Sequence, residues 1–243
     1  MTTPRKAGDT RRPELSLVFP VFDEVENLAP LLDSALRIAT NLASDFEIIL
    51  VDDGSTDGTR DILSGLESEE GIQVHYHEHN QGKGAALRTG IAKATGDVIL
   101  IQDADLEYDP EDYKTILSAY RDPEVHVVYG SRILGSRNRF SWTYYWGGRC
   151  VSFATNVLFD CQLTDEPTCY KSFRRTVLDD IELVSNGFEF CPEITGKLIR
   201  AGYAIAEVPI HYYPRSFEEG KKIRARDGII AIWTLFRVRF GIG

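Results

Sequence analysis

Basic side chains are the first shortage in this 243-residue chain: 27 Lys and Arg stand against 37 Asp and Glu, a formal charge of −10. So acidic a composition excludes a general nucleic-acid binder, whose affinity comes from neutralising phosphates. Cysteine is also scarce. Cys150, Cys161, Cys169 and Cys191 lie 11, 8 and 22 residues apart with no CxxC pair. That spacing fits no zinc template, and a chain of this size does not need disulfide staples. They read as free thiols in a reducing cytoplasm. Long apolar runs are missing as well: the most apolar stretch, Gly228 to Phe236, is nine residues, where a spanning helix needs about 20. The first residues, MTTPRKAGDTRRPE, contain no apolar segment of the kind a secretory leader carries, so no signal peptide is expected. The expectation is a cytoplasmic protein that at most lies on a membrane.

What is present is an ordinary globular composition, 43% hydrophobic and 26% charged, which excludes disorder and coiled coil as descriptions of the whole. The charge is unevenly spread. Residues 1–13 carry four basic side chains and one acid, and residues 221–243 carry six (Lys221, Lys222, Arg224, Arg226, Arg237, Arg239) against Asp227. The body between them, 14–220, holds 17 basic and 35 acidic residues. We therefore expect a flexible basic tail over 1–13 and a single domain over 14–243, ending in a basic amphipathic helix over 221–243.

Hydrophobic patterning predicts strands at 15–19, 46–51, 72–76, 98–101 and 125–129, with helices over 24–43, 58–68 and 82–95 and another starting near Pro110. Strands alternating with helices at this interval specify an α/β fold with a mostly parallel sheet wound by βαβ units. The alternation weakens after about residue 130. Residues 14–130 read as a nucleotide-binding half and 131–220 as an acceptor half.

Ligands of such sheets sit outside the carboxyl ends of the strands. Three strand ends here are rich in acids: Phe22-Asp23-Glu24, Asp52-Asp53 and Asp103-Ala-Asp105-Leu-Glu107. Asp52-Asp53-Gly54-Ser55 is also ordinary turn chemistry. Three acids in five residues behind the buried run Val98–Ile101 are harder to explain that way, since clustered carboxylates repel unless a cation neutralises them. Oxygen ligands suit Mg²⁺ or Mn²⁺ bridging carboxylates to a substrate's phosphates.

Leu17-Val-Phe-Pro20-Val-Phe-Asp-Glu24, Val51-Asp-Asp-Gly-Ser-Thr-Asp-Gly58, Asn80-Gln-Gly-Lys-Gly-Ala-Ala86 and Asp103-Ala-Asp-Leu-Glu107 resemble, in order, the motifs of family 2 glycosyltransferases of the GT-A fold. Gly130-Ser-Arg132, the stretch from Asp165 to Arg174, Phe188 to Glu193, and Glu207 through Lys222 extend the likeness. Within the family the chain is most similar to the dolichol-phosphate mannose synthase-like branch, which includes bacterial polyprenyl-phosphate glycosyltransferases. It departs from that pattern at Phe22 and Asp23, where Tyr-Asn is common, and at Glu107, where many mannose synthases have Gln.

The resemblance implies a Rossmann-like GT-A domain. Pro20, Glu24, Asp52 and Asp53 would line the base and ribose pocket of a nucleotide-sugar, Lys83 would lie near its diphosphate, and Asp103, Asp105 and Glu107 would hold Mg²⁺ or Mn²⁺. The donor it implies first is GDP-mannose, with UDP-glucose or a UDP-N-acetylhexosamine next. The acceptor would be polyprenyl or dolichyl phosphate at the cytosolic face of a membrane. A phosphate monoester needs no general base, because its second pKa is about 6. It does need cations, and Arg132, Arg149 and Arg215, with Lys221 and Lys222, stand at the family's acceptor positions. Transfer to a saccharide hydroxyl would instead need a base, for which Asp165 is the candidate. A non-catalytic nucleotide-sugar-binding subunit is the reading from outside enzymology. Without a spanning helix, a membrane partner protein or a homo-oligomer is also compatible with the sequence.

Near the end of the chain, Ile229, Ile232, Trp233, Phe236 and Phe240 form one helical stripe flanked by Arg226 and Arg237. Such a stripe either packs on the sheet as core or lies in a membrane interface. The aromatic-rich segment from Trp142 to Phe159 adds to the second possibility. The five histidines have no metal partner in the pattern and read as structural.

Overall fold

Strand β1 (Leu15–Val21) and strand β2 (Phe46–Asp52) are buried along almost their whole length, as near-continuous apolar strands of a parallel sheet are. The computed structural model describes residues 13–135, 142–215 and 225–242. All but Pro13 of the basic tail expected over residues 1–13, and the residues Lys221, Lys222 and Arg224, lie outside them.

Helix α1 (Leu28–Leu42) follows β1, helix α2 (Thr59–Leu66) follows β2, and strand β3 (Ile72–Tyr76) completes the first edge. Helix α3 (Lys83–Lys93), strand β4 (Val98–Ile101), helix α4 (Tyr113–Ala119) and strand β5 (Val127–Ser131) come next. The second half adds helix α5 (Trp142–Phe159), strand β6 (Lys171–Arg174), helix α6 (Phe190–Arg200), strand β7 (Ile205–Pro209) and helix α7 (Ala225–Phe240). The seven strands form one sheet in the order β3-β2-β1-β4-β6-β5-β7. All neighbours are parallel except β6, which runs antiparallel to both β4 and β5.

Alternation along the strands splits the core into two layers. Leu15, Leu17, Phe19 and Val21, with Ile48 and Leu50, meet Leu28, Leu31, Leu32, Ala35 and Ile38 of α1 on one face. Val18, Ile49 and Val51 meet Ala86, Leu87 and Ile91 of α3 and Phe190, Ile194 and Leu198 of α6 on the other. The strands and the parallel winding expected up to residue 130 are found, with β5 two residues later than expected. Helix α1 starts at Leu28, not near 24, because Asn27 N and Leu28 N both donate to Glu24 O and make residues 24–27 a separate turn. Strands β6 and β7 and helix α6 had no counterpart in the sequence patterning.

The chain steps outward from β1 to β2 to β3, then returns to the far side of β1 as β4. Where strand order reverses in this way, a crevice opens at the carboxyl ends of the two strands. Here those ends lead into Glu24 and into Asp103–Glu107.

Candidate active site

Asp23, just past β1, has φ +48°, a left-handed conformation in which Asp and Asn are the best-tolerated residues after Gly. Its backbone N–H donates to Ser55 Oγ (2.9 Å), and its carboxylate accepts from Thr56 N (2.8 Å). Asp at this place thus does what the commoner Asn would do, and it fastens the β1 loop to the β2 loop. Glu24 N–H donates to Thr59 Oγ1 (3.0 Å), so the buried Glu24 carboxylate faces the crevice from a fixed backbone.

The two acids that end β2 serve their own loops. Asp52 accepts from Gly54 N (3.2 Å), Ser55 N (3.2 Å) and Arg60 Nε (2.7 Å). Asp53 accepts from Gln81 N (2.9 Å) and Gly82 N (2.8 Å) and pairs with His77 Nδ1 (2.7 Å). Asp53 thereby anchors the N-terminus of α3, where anionic groups are favoured. Gly82 there has φ +102°, and a Cβ on Gly84 would stand 2.6 Å from Ser185 O. Only glycine lets the 185–187 backbone come so close to the start of α3. Arg60 and His77, which fix Asp52 and Asp53, carried no sequence signal beyond their residue types. Pro20 lies within β1, in register with Val51.

The acids that follow β4 do converge with charged partners. Lys83 Nζ, from the first residue of α3, lies 2.5 Å from Asp103 Oδ1 and 3.1 Å from Cys169 Sγ. Burial opposes the lysine charge, but the Asp103 carboxylate beside it holds its pKa well above the usual value. Asp105 Oδ1 accepts from Glu107 N (3.0 Å), and its Oδ2 accepts from Arg215 NH2 (2.9 Å). Burial, then the neighbouring Asp103 and Glu107 charges, push Asp105 up to about 7, with Arg215 pulling the other way. Glu107 accepts from Tyr212 OH (3.1 Å) and from Arg215 N (2.6 Å).

Arg215 links the two strand ends. Its NH1 and NH2 reach Glu24 at 3.1 and 3.2 Å, and NH2 also reaches Asp105. Its Nε is buried with no hydrogen-bond partner among the described residues, a state that is rare and calls for an acceptor.

On the far side of β4, Arg132 at the end of β5 grips Asp165. Arg132 N and Nε both donate to Asp165 Oδ2 at 2.8 Å, and NH2 donates to Oδ1 at 2.8 Å. The guanidinium lies over the Tyr212 ring, 5.0 Å from its centroid, one ring away from Glu107. Arg149 of α5 donates through NH1 to Thr164 O (2.8 Å), next to this pair. Behind them, fully buried Lys171 reaches Glu166 O (2.6 Å) and lies 3.7 Å from the Tyr129 ring centroid.

Glu24, Lys83, Asp103, Asp105, Glu107 and Arg215 are therefore gathered in one place, with Arg132 and Asp165 beside them through Tyr212. Asp52 and Asp53 stand behind, holding loops. In kind, the carboxylates fit a hard divalent cation. As found, the charges of Asp103 and Asp105 are met by Lys83 and Arg215, and no three metal-binding side chains among the described residues are grouped as a ligand set.

The model of glycosyl transferase family 2 matches residues 16–182. The chain belongs to that family. It is 29% identical over 211 residues to the undecaprenyl-phosphate 4-deoxy-4-formamido-L-arabinose transferase of Pseudomonas fluorescens, covering 85% of this chain and 59% of that protein. It is 27% identical over 209 residues to the dodecaprenyl-phosphate galacturonate synthase of Rhizobium johnstonii, covering 83% and 60%. The family 2 chain thus spans about three fifths of the length of these curated relatives. Among solved structures, glucosyl-3-phosphoglycerate synthase from Mycobacterium tuberculosis, crystallised with Mn²⁺, UDP and glucosyl-3-phosphoglycerate, superposes with a TM-score of 0.69 at 21% identity, over 95% of this chain and 81% of that one. That likeness establishes the fold.

Proposed function

We propose that this chain is the catalytic domain of an inverting glycosyltransferase that moves one sugar from a nucleotide-sugar to a polyprenyl phosphate at a membrane surface. The observation that carries the reading is Arg215, which spans Glu24 and Asp105 while its buried Nε–H has no partner among the described residues. A planar fork placed at an acidic edge with a donor to spare suits an anionic phosphate oxygen. The names of the two bacterial relatives, both polyprenyl-phosphate transferases, support the acceptor class.

In this reading β1 to β4 take the donor. Glu24 and Pro20 face the nucleoside, Asp52 and Asp53 hold the loops that shape its pocket, and Lys83 meets the diphosphate. Asp103, Asp105 and Glu107 would hold Mg²⁺ or Mn²⁺, which when bound neutralises charge on the departing nucleoside diphosphate. The β5–β7 half takes the acceptor, with Arg132, Arg149 and Arg215 orienting its phosphate. A phosphate oxygen forms the new bond to the anomeric carbon as the bond from that carbon to the donor's phosphate oxygen breaks on the opposite face. Because the acceptor oxygen is already anionic at neutral pH, no side chain has to remove a proton. Asp165, engaged by three N–H donors, positions Arg132 and is badly placed to act as a base.

The donor implied by the sequence is GDP-mannose, with UDP-glucose or a UDP-N-acetylhexosamine as alternatives. Purified chain is incubated with Mn²⁺, a polyprenyl phosphate and each nucleotide-sugar in turn, pentose and uronate donors included, and the glycolipid is read by mass. One donor is expected to give product. Product on a saccharide hydroxyl but not on the lipid phosphate, or no product from any donor, would overturn the proposal.

A further inference from the structure

The apolar stripe of α7 is not core. Ala231, Thr234 and Leu235 face inward, packing with Val151 and, at the margin, Ala154, Leu158 and Phe159 of α5. Ile229 (74% exposed) and Trp233 (55%) point to solvent with Ile232, Phe236 and Phe240. Helix α7 is therefore apolar on both sides; its inner side packs on α5 and, through Val238 against Gly196, on α6, and among the described residues its outer side has no such partner. Helix α5, packed against it, adds Phe153 (70% exposed), Val157 (66%) and Trp146, spaced so that they share a face. Exposed apolar side chains gathered on two packed helices of an otherwise acidic protein mark an interaction site.

The rings on this face are already ordered. Trp233 stacks on Phe236 at 5.7 Å and 13°, and Phe236 lies 4.5 Å from Phe240. At 100° per residue, Arg226 and Arg237 fall on one flank of the stripe and Arg239 on the other. The nearest acid, Asp227, falls on the inward arc and is mostly buried. So the exposed arc is apolar at its centre, basic at both edges and free of acids, in a chain whose net charge is −10.

We infer that the α5–α7 face seats this protein on an anionic lipid surface, with α7 lying in the plane of the interface. Aromatic and aliphatic side chains enter the headgroup boundary there, and flanking arginines keep their charges at the phosphates. The body, being acidic, is repelled by the same surface, so charge fixes the orientation. Helix α7, at 16 residues, is about 24 Å long at the α-helical rise, short of the roughly 30 Å bilayer core. No helix among the described residues is long and apolar enough to cross a membrane. Arg149, next to the Arg132–Asp165 pair, belongs to α5 itself, so a seated face would bring the phosphate of a lipid near the proposed acceptor arginines. That last step rests on the proposed function; the docking does not.

The test is co-flotation with vesicles of phosphatidylcholine alone or mixed with phosphatidylglycerol. Wild-type chain is expected to float with the mixed vesicles, to be released by salt, and to show blue-shifted tryptophan emission. W233S/F240S is expected to lose at least tenfold in vesicle partitioning while its rate with a water-soluble short-chain prenyl phosphate stays unchanged. R226E/R237E, whose side chains are exposed, is expected to lose the preference for phosphatidylglycerol. Wild-type chain that ignores both vesicle types overturns the inference. So does a concentration-dependent dimer that W233S/F240S abolishes, which would give the face to a second copy. Vesicle binding without transfer to any acceptor would leave this inference standing and remove the proposed function instead.

Discussion

Asp165→Asn separates a positioning residue from a general base. The Asp165 side chain is 3% exposed and that of Arg132 15%, so their bidentate pair is held away from water. Breaking a buried pair by removing one partner costs about 3–5 kcal/mol. Asparagine keeps one acceptor, Oδ1, for two of the three N–H groups and turns an NH2 toward the third. We expect a net loss of about 2–4 kcal/mol, each charge-assisted bond being worth roughly 1.5–3 kcal/mol. Urea unfolding followed by far-UV circular dichroism reads that loss. Steady-state transfer to a polyprenyl phosphate reads the consequence. With Arg132 loosened, KM for the acceptor rises at least tenfold while kcat falls less than tenfold. Arg132→Lys, which cannot form the same fork, gives a similar pattern, and the two changes together cost less than their sum. A base would behave otherwise: kcat would fall about 10²–10⁴-fold with KM and the unfolding midpoint nearly unchanged. That result would refute the positioning argument and the phosphate acceptor with it.

Three further outcomes follow from the same geometry. Arg215→Ala frees Glu24 and Asp105 from a cation about 3 Å away, so isothermal titration without nucleotide should show roughly tenfold tighter Mn²⁺ binding, while transfer falls; weaker binding would contradict the proposed competition. Folded Asp105 titrates near 7 and its free carboxyl near 3.8, so the folded state holds the extra proton between those values. Stability from this group is greatest below about pH 4 and declines as pH rises to 7. The wild-type unfolding midpoint should therefore drop between pH 4 and 7 relative to Asp105→Asn, and parallel curves would defeat the assignment. Gly84→Ala sets a methyl 2.6 Å from Ser185 O and 2.8 Å from Gly187 O. Backbone gives way poorly, so thermal unfolding should show a loss of about 1–3 kcal/mol; an unchanged midpoint would mean the 185–187 segment moves freely.

Strands β1, β2 and β4 were legible because each is a run of buried apolar residues closed by turn chemistry, half-buried β3 showed only alternation, and the acids behind β4 stood out against its run. What hid β6 is its composition. Lys171-Ser-Phe-Arg174 reads as a surface segment, yet Lys171 is fully buried, its ammonium held by Glu166 O and by the face of Tyr129. Pattern cannot show that a lysine's partners lie 5 and 42 residues away in the chain. The stripe of α7 was legible as a stripe, but not which side of the helix was inside. Ala231 and Leu235, too few to signal a packing face, meet α5, and Val238 on the same side meets Gly196 of α6. Of the candidate site, the sequence placed the acids at the strand ends but did not show their pairing. Arg215, expected to meet phosphate, rests on Glu24 and Asp105, and Lys83 rests on Asp103. Such pairs form across tens to nearly two hundred residues, where only the fold can bring them together.

The reversed strand has a consequence for how this scaffold can be altered. Along a parallel strand, the residues that reach the ligand edge come after it. β6 presents its leading end to that edge, so Thr164 through Cys169 arrive there before the strand begins. A chimera carrying a relative's segment 160–168 would thus exchange the wall that holds Arg132 and Arg149 while leaving Cys169, which touches Lys83, in place. The graft would be bounded by α5 on one side and β6 on the other, two elements already anchored in the sheet or against α7. If the proposed acceptor site is right, acceptor choice is in this sense a separable cassette, written into the chain ahead of the strand that supports it.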